Sequence, residues 1–249
     1  MIGILSRHGL EAIERAFSGR PLLAFDFDGT LAPLVDQPAA ARLRPSTRTL
    51  LRAIARALPV AVVSGRSRLD LVSRLEDVPS IGLVGNHGAE TAAGPPDPRV
   101  RRRVAAWAKA LESVFASSRG VEIEDKGLTL SLHYRRAPEP EEARQRLFAA
   151  ASAFPDARLT GGHAVLNLIP RELPTKGSAV ETLANGFGCT SALFVGDDLT
   201  DEDAFESSIV DVSVRVGRDL GSAARYFLDA QDQIDTLLEV LLAAMARRR

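Results

Sequence analysis

The sequence predicts an α/β protein in which a core built on a parallel sheet carries an inserted α+β domain. Short apolar runs alternate with helical segments at both ends of the chain, which is the pattern of a parallel sheet covered by helices. In the middle, the pattern changes to pairs of strands whose polarity alternates residue by residue. The chain has 249 residues, of which 45% are hydrophobic and 25% charged. This length suits one large domain or two modest ones.

The predicted core strands are short runs rich in Val, Ile, Leu and Phe, each ending at Gly, Ser or Asp, as expected of strands buried on both faces. They cover residues 21–27, 59–64, 81–85, 191–197 and 210–214. Helical periodicity predicts helices at 46–58, with Ser46 as the N-cap, and at 68–78. Residues 1–17 are predicted to form an amphipathic helix rather than a signal peptide.

Residues 94–170 are predicted to form the inserted domain, which leaves 1–93 and 171–249 as the two parts of the core. A segment rich in Gly and Pro, 94–98, marks its start. A helix followed by two strands occurs twice within it, and the predicted ranges are 99–117, 121–125 and 128–135, then 139–154, 157–161 and 164–170. Alternating polarity in these strands predicts an antiparallel sheet with one apolar and one polar face.

The composition excludes several classes of protein. The 31 basic and 32 acidic side chains give a net charge of −1, whereas domains that bind nucleic acid through bulk charge usually have a basic excess. Because Cys189 is the single cysteine, an intrachain disulfide is impossible and a reducing compartment is favoured. No apolar run approaches the roughly 20 residues that span a bilayer. We therefore expect a cytoplasmic protein without nucleic-acid or membrane partners.

Two carboxylates stand where the first core strand ends. Asp26 and Asp28 belong to the string DFDGT at 26–30. Sites in open α/β sheets lie just outside the carboxyl ends of the strands, and two like charges so close repel each other unless a cation lies between them. The alternative is a plain turn, in which the Asp–Gly pair serves the backbone and Asp28 caps it.

A second acidic group, GDDLTDED at 196–203, follows another buried strand. An acidic helix N-terminus explains residues 201–203, since the helix dipole favours negative charge there. It does not explain Asp197 and Asp198, which stand at the end of the strand. Two acidic strand ends that meet at one edge of a sheet form an oxygen-rich site of the kind that Mg²⁺ prefers.

Two further motifs could bind a phosphate. Ser64, Gly65 and Arg66 follow the second core strand, where a hydroxyl and close backbone N–H groups can reach phosphate oxygens; the alternative is a simple helix cap. Lys176 opens a helix, a position that disfavours a cation and therefore indicates a carboxylate or phosphate partner. The alternative for Lys176 is an ordinary surface lysine.

In this order the four motifs resemble those of the haloacid dehalogenase superfamily of phosphohydrolases, which have DxDGT on a first strand, Ser or Thr on a second, a later Lys and an acidic pair on another strand. The resemblance implies a Rossmann-like parallel sheet core, with the inserted domain acting as a cap over the site. It also implies a Mg²⁺-dependent phosphatase that acts through an aspartyl-phosphate.

The resemblance assigns roles to individual residues. The implied catalytic residues are Asp26 as nucleophile, Asp28 as general acid and base, and Ser64 and Lys176 as ligands of the phosphoryl oxygens. The implied metal ligands, direct or through water, are Asp26, Asp28 (by its backbone oxygen), Asp197, Asp198 and Asp201. Either Asp198 or Asp201 would hold a metal-bound water or Lys176.

Three more strings resemble trehalose-6-phosphate phosphatases, namely GNHGAE at 85–90, KGLTLSLHYR at 126–135 and GDDLTDEDAF at 196–205. This resemblance implies that the polar face of the inserted sheet contacts sugar hydroxyls. The candidate substrate-binding residues, including two beside Ser64, are Gly65, Arg66, His87, Glu124, Lys126, His133, Arg135 and Asn167. Asn167 departs from the pattern, because relatives usually carry an acidic residue near this position.

The expected activity is the hydrolysis of trehalose 6-phosphate to trehalose and phosphate. The alternatives are the same chemistry on sucrose phosphate or a glycosyl phosphoglycerate, a phosphomutase, and a sensor that binds a sugar phosphate without turnover. The neutral Asn167 keeps the first alternative open. The sensor is disfavoured because no carboxylate of the four motifs is missing.

Overall fold

A computed structural model describes residues 1–79, 81–92, 97–162 and 164–247. The chain splits into two compact units, one formed by Met1–Gly88 with Pro174–Arg249 and the other by Ala89–Leu173. The predicted inserted domain falls within the second unit, and residues 94–96 of its predicted start lie outside the described residues. None of the described helices is long and apolar enough to cross a bilayer.

The described elements are numbered in chain order. The strands are β1 (Ile2–Gly3), β2 (Pro21–Phe25), β3 (Val60–Val63), β4 (Ile81–Val84), β5 (Glu122–Asp125), β6 (Leu130–His133), β7 (Ala157–Gly162), β8 (Val165–Pro170), β9 (Ser191–Gly196), β10 (Val210–Val216) and β11 (Tyr226–Leu228). The α-helices are α1 (Arg7–Ala16), α2 (Pro45–Ala55), α3 (Arg68–Leu75), α4 (Pro98–Phe115), α5 (Pro140–Ala151), α6 (Lys176–Gly186), α7 (Glu202–Phe205) and α8 (Ile234–Ala246).

The first unit is built on a seven-stranded sheet in the order β1-β11-β10-β9-β2-β3-β4. Every neighbouring pair is parallel, so the predicted α/β fold with a parallel core is confirmed. β1 and β11 were not predicted, because both are too short to show a periodic pattern. The N-terminal prediction needs a correction, since β1 precedes the helix and α1 begins at Arg7 after its N-cap Ser6.

Both faces of this sheet are buried, which explains the continuous apolar runs. In β2, Leu23 and Phe25 pack with the apolar residues of α1, α2, α3 and α8. Leu22 and Ala24 face the other way and pack with α6 and α7. The prediction that Ser46 caps α2 is wrong: the helix begins at Pro45, and the Ser46 hydroxyl donates to a carboxylate of α8.

The second unit contains a four-stranded antiparallel sheet in the order β5-β6-β8-β7. The helix–strand–strand pattern occurs twice, as predicted. One face of the sheet packs on α4 and α5 through apolar side chains that include Val104, Leu130, Leu132 and Leu168. The register places polar residues of neighbouring strands side by side on the opposite face, and this row consists of Glu124, Ser131, Asn167 and Thr160. We call it the polar row.

Candidate active site

Three adjacent strands of the first unit end beside one another in the order β9, β2, β3. Asp26 follows β2, Ser64 follows β3 and Asp197 follows β9. Lys176 is the first residue of α6, whose N-cap is Thr175. The parallel sheet therefore brings the four motifs to one edge, as expected of strands whose carboxyl ends meet there.

Lys176 links two of the carboxylates at this edge. Its ammonium donates to Asp26 Oδ1 at 2.8 Å and to Asp201 Oδ1 at 2.6 Å, and the side chain is only 2% exposed. Burial alone would lower the pKa of Lys176, but the Asp201 and Asp26 carboxylates outweigh it and raise the pKa. The interpretation of Lys176 as an ordinary surface lysine is wrong, and its predicted carboxylate partner is present.

Asp201 binds both Lys176 and the backbone after β9. Its Oδ2 accepts from the backbone N–H groups of Asp197 and Asp198, each at 2.9 Å, while its Oδ1 faces Lys176. A side chain at Gly196 would collide with the Asp201 carboxyl group, because a Cβ there would lie 2.3 Å from Cγ. Asp201 thus orients both the lysine and the loop that carries Asp197.

Asp26, Asp197 and Asp201 form a cluster in which one carboxylate oxygen of each lies within 4.8 Å of the others. Burial raises the pKa of Asp26 to about 7, against the lowering effect of Lys176. Burial, with the nearby charge of Asp26, also raises the pKa of Asp197 well above its usual value. Three carboxylates and one ammonium group lie together here, and Lys176 donates to only Asp26 and Asp201 among the three. Because negative charge is in excess, the carboxylate oxygens suit a hard divalent cation.

Two residues of the loop after β2 fix Asp197. Thr30 Oγ1 donates to Asp197 Oδ1 at 3.0 Å. Gly29 has a positive φ of 79°, and a Cβ at this position would lie 2.1 Å from Asp197 Oδ2. The loop therefore needs glycine for both its conformation and the close approach of the carboxylate. Thr30 belongs to the DFDGT motif, but its contact with Asp197 was not predicted.

Asp28 does not join the carboxylate cluster. Its two oxygens accept from Arg66, with Nε to Oδ2 and Nη2 to Oδ1 both 2.6 Å. Asp70 accepts from the third side of the same guanidinium at 2.7 Å. Arg66, which the sequence analysis assigned to substrate binding, therefore lies between two carboxylates. Asp70 was not predicted, although its i+4 spacing from Arg66 was available as a signal.

Asp198 also lies apart from the cluster. Its Oδ1 accepts from the backbone N–H of Leu199 at 2.7 Å and caps the short turn before α7. Burial raises the pKa of Asp198, and the hydrogen bond from the Leu199 N–H offsets only part of this rise. Of the five predicted metal ligands, the structure thus brings the carboxylates of three together.

Ser64 and His87 are both buried beside Gly65. The Ser64 hydroxyl accepts from the backbone N–H of Arg66 at 3.3 Å, and the His87 backbone N–H donates to the Ser64 carbonyl at 2.9 Å. A Cβ at Gly65 would lie 2.5 Å from His87 Cε1. The imidazole therefore packs directly on the Ser64–Gly65 turn, and His87 takes a left-handed backbone conformation to do so.

The other predicted substrate ligands lie in the second unit, most of them on the polar row or beside it. Glu124 Oε2 accepts from His133 Nε2 at 2.9 Å in the tautomer that carries a proton on this nitrogen, and Lys126 Nζ lies 3.7 Å from the same oxygen. The His133 hydrogen bond lowers the pKa of Glu124 against the effect of burial. Asn167 Oδ1 accepts from Ser131 Oγ at 2.7 Å, and both residues are buried. Arg135 is exposed, just after β6.

The sequence of the whole central region matches one family. Residues 24–222 match the trehalose-phosphatase family. The chain belongs to this family. A trehalose-phosphate phosphatase of Mycobacterium avium is 34% identical over 202 residues, which are 75% of this chain and 51% of that protein.

Solved structures with the same fold include two phosphatases. The C-terminal domain of Candida albicans trehalose-6-phosphate phosphatase has a TM-score of 0.79 at 23% identity, with 98% of each chain covered. A sugar phosphatase of HAD subclass IIB has a TM-score of 0.64 at 18% identity, with 88% of this chain and 98% of that chain covered. The first unit therefore has the haloacid dehalogenase fold expected of a trehalose-phosphatase.

The chain spans only part of the length of its curated relatives. The matched region covers 16% of a glycosyl hydrolase of Mycobacterium tuberculosis and 59% of a trehalose-phosphate phosphatase of Arabidopsis thaliana. The family match includes Asp26, Ser64, Lys176 and Asp197 and ends before α8. α8 itself therefore lies outside the matched residues, whereas Ser46 and Thr47, which donate hydrogen bonds to its Asp235, lie inside them.

Proposed function

We propose that this protein hydrolyses trehalose 6-phosphate to trehalose and phosphate through a phosphorylated Asp26. The observation that carries the proposal is the buried contact of Asp26 with Lys176 at the end of β2, beside Asp197, in a member of the trehalose-phosphatase family. A carboxylate nucleophile needs nearby positive charge to approach a dianionic phosphate, and Lys176 supplies one such charge.

The first step transfers the phosphoryl group to the enzyme. A carboxylate oxygen of Asp26 attacks phosphorus, and the bond from phosphorus to the sugar oxygen breaks. The proton of the Asp28 carboxyl group passes to the departing oxygen and leaves a sugar hydroxyl. Lys176 and the Ser64 hydroxyl bind the phosphoryl oxygens, whose negative charge is redistributed during transfer.

The second step releases phosphate. The Asp28 carboxylate takes a proton from water, whose oxygen attacks phosphorus as the bond to Asp26 breaks. Inorganic phosphate leaves, Asp26 returns to the carboxylate form and Asp28 is again protonated. Each residue ends as it began, so the cycle balances.

Mg²⁺ is the proposed cofactor. Asp26 and Asp197 would hold it with the backbone oxygen of Asp28, since Asp201 already accepts from Lys176 and two backbone N–H groups. The raised pKa values of Asp26 and Asp197 support this choice, because they reflect a buried excess of negative charge. Bound Mg²⁺ would neutralise charge on the carboxylates and on the phosphate.

The second unit is the proposed cap, and its polar row is the proposed reader of the sugar. Glu124, Lys126 and His133 present a carboxylate and two donors within one hydrogen-bonded group. Asn167 holds a neutral amide beside Ser131. An amide cannot accept as strongly from sugar hydroxyls as a carboxylate does, and this favours a second candidate, a related disaccharide phosphate or a glycosyl phosphoglycerate.

A panel of substrates tests the proposal. The purified chain, with Mg²⁺, is assayed for phosphate released from trehalose 6-phosphate, sucrose 6-phosphate, glucosyl-3-phosphoglycerate and glucose 6-phosphate. We expect the highest kcat/KM for trehalose 6-phosphate. A higher value for another member of the panel would transfer the assignment to that substrate, and binding without release of phosphate from any of them would favour the sensor. Dependence of turnover on a sugar bisphosphate would reveal a phosphomutase.

A further inference from the structure

The contact between Arg66 and Asp28 has the geometry of a bidentate clamp. Two nitrogens of one guanidinium donate to the two oxygens of one carboxylate, both at 2.6 Å. The Arg66 side chain is 11% exposed, whereas that of Asp28 is 33% exposed. A planar guanidinium that meets a carboxylate in this way fixes the plane of the carboxylate as well as its distance.

Arg66 is itself held from three further directions. Nη1 donates to Asp70 Oδ2 at 2.7 Å, and Nη2 donates to the Pro38 carbonyl at 2.8 Å. The guanidinium carbon lies 5.3 Å from the centre of the Phe27 ring. A group fixed by this many contacts loses little further freedom when it orients a partner.

Resting on the proposed function, we propose that Arg66 is a positioning residue that holds the Asp28 carboxyl group for both of its proton transfers. Asp28 lies in a loop beyond the end of β2, so its side chain needs an external support. A carboxyl group that carries its proton on one oxygen still accepts from Arg66 on the other. The clamp can therefore orient Asp28 in the step that gives up the proton and in the step that takes one.

The alternative role for Arg66 is to bind the phosphate directly. The two roles differ in what happens when the leaving group changes. A phosphate ligand contributes equally to every phosphate monoester, because all share the same phosphoryl group. A residue that positions the general acid matters for a sugar oxygen, which must be protonated as it leaves, and little for a group that departs as a stable anion.

The test compares three substrates in the full chain with Mg²⁺. Trehalose 6-phosphate needs a proton on its leaving group, whereas p-nitrophenyl phosphate and acetyl phosphate do not. For Arg66→Gln we expect kcat/KM to fall about 100-fold with trehalose 6-phosphate and less than about threefold with the other two. Arg66→Lys keeps one charged donor without the fork, so its selective loss should be smaller, about tenfold.

Arg74 provides the matched control. It donates to the same Asp70 oxygen at 2.8 Å and lies over the same Phe27 ring at 5.9 Å, but its other described hydrogen bond goes to the Ala41 carbonyl rather than to Asp28. Arg74→Gln should therefore leave the ratio of the kcat/KM values for the sugar and activated phosphates unchanged. Thermal melting of each variant identifies any loss of folded protein. If Arg66→Gln does not fold, the losses on the sugar phosphate and on the activated phosphates are compared in Arg66→Lys instead.

Three results would overturn the inference. An equal loss on all three substrates in the Arg66 variants would assign Arg66 to phosphate binding. Unchanged turnover of trehalose 6-phosphate would remove any role in proton transfer. Absence of phosphatase activity in the unmodified chain would contradict the proposed function itself, and the proposed role of Arg66 would then also be wrong.

Discussion

The polar groups of the two units are arranged in opposite ways. In the first unit, Asp26, Lys176 and Asp201 form one compact buried cluster. In the second, polar side chains spread along one face of a sheet, and the side chains of Glu124 and His133 are 48% and 35% exposed. A buried charged cluster works as a unit, since removal of one charge leaves the others uncompensated. Ser131 and Asn167 of the polar row are buried, but around Glu124 the row is partly exposed, and there water can replace the hydrogen bonds of a lost side chain.

This difference follows from the two sheets. A parallel sheet is covered by helices on both faces, so its polar groups collect where the strands end. An antiparallel sheet can leave one whole face polar. We therefore expect changes in the cluster to abolish the chemical step, and changes in the row to weaken recognition by degrees.

The largest effect is expected from Asp26→Asn. The amide keeps the shape of the carboxylate but is not a nucleophile, so phosphate release should fall by at least about 1,000-fold. Asp211→Asn, the same change at an exposed carboxylate on β10, is the control and should retain activity. Near-normal phosphate release by Asp26→Asn, with an unchanged melting temperature, would contradict the proposed mechanism.

An intermediate effect is expected from Glu124→Gln. The change weakens the contacts to His133 and Lys126 but leaves the chemical cluster intact. KM for trehalose 6-phosphate should rise about five- to tenfold, within the range of one charged hydrogen bond, while kcat stays within about twofold. Glu122→Gln, two residues earlier on the same face of β5, is the matched control. A fall in kcat at unchanged KM would show that the row serves the chemistry instead.

The smallest effect on activity is expected at Asp235, a carboxylate that belongs to neither region. Burial raises the pKa of Asp235, but the hydrogen bonds from Ser46 and Thr47 and the charge of Arg44 lower it by more. The pKa of Asp235 therefore lies below its usual value. Such a group stabilises the fold above its unfolded pKa, about 4, and the stabilisation is lost as the pH falls through the lower folded value. Asp235→Asn should reduce the free energy of unfolding by about 2 kcal/mol at pH 7, and the difference should shrink below about pH 4.

Denaturant unfolding at several pH values measures the effect at Asp235, and phosphate release checks that activity is retained. The Asp235 variant is informative because Asp235 lies outside the carboxylate cluster and outside the polar row. A loss of activity as large as that of Asp26→Asn would show that α8 takes part in the chemistry. A stability difference that did not change with pH would mean that the Asp235 charge contributes nothing.

The sequence predicted the parts of the fold that long periodic patterns specify. The buried runs around β2, β3 and β9 identified the parallel sheet, and strand ends alone placed Asp26 and Asp197 at one edge. The partner of Asp28 was not predictable in this way. Arg66 lies 38 residues further along the chain than Asp28, and no local spacing relates the two residues.

The same limit applies to the short elements and to the order of strands in the second unit. β1 and β11 contain two and three residues, so neither shows alternation. The two predicted hairpins gave no signal for the pairing of β6 with β8, which joins them into one sheet. Such pairings depend on which apolar faces meet, and many arrangements satisfy one hydrophobic pattern.

The pairing of β2 with β9 also affects how the chain folds during synthesis. The second unit is continuous in sequence, so a ribosome completes all of its strands and helices before it makes β9. β2 must wait with one edge unpaired until then, and an unpaired apolar strand is a site of aggregation. The order of translation therefore favours early folding of the second unit, with the parallel sheet of the first unit among the last structures to form.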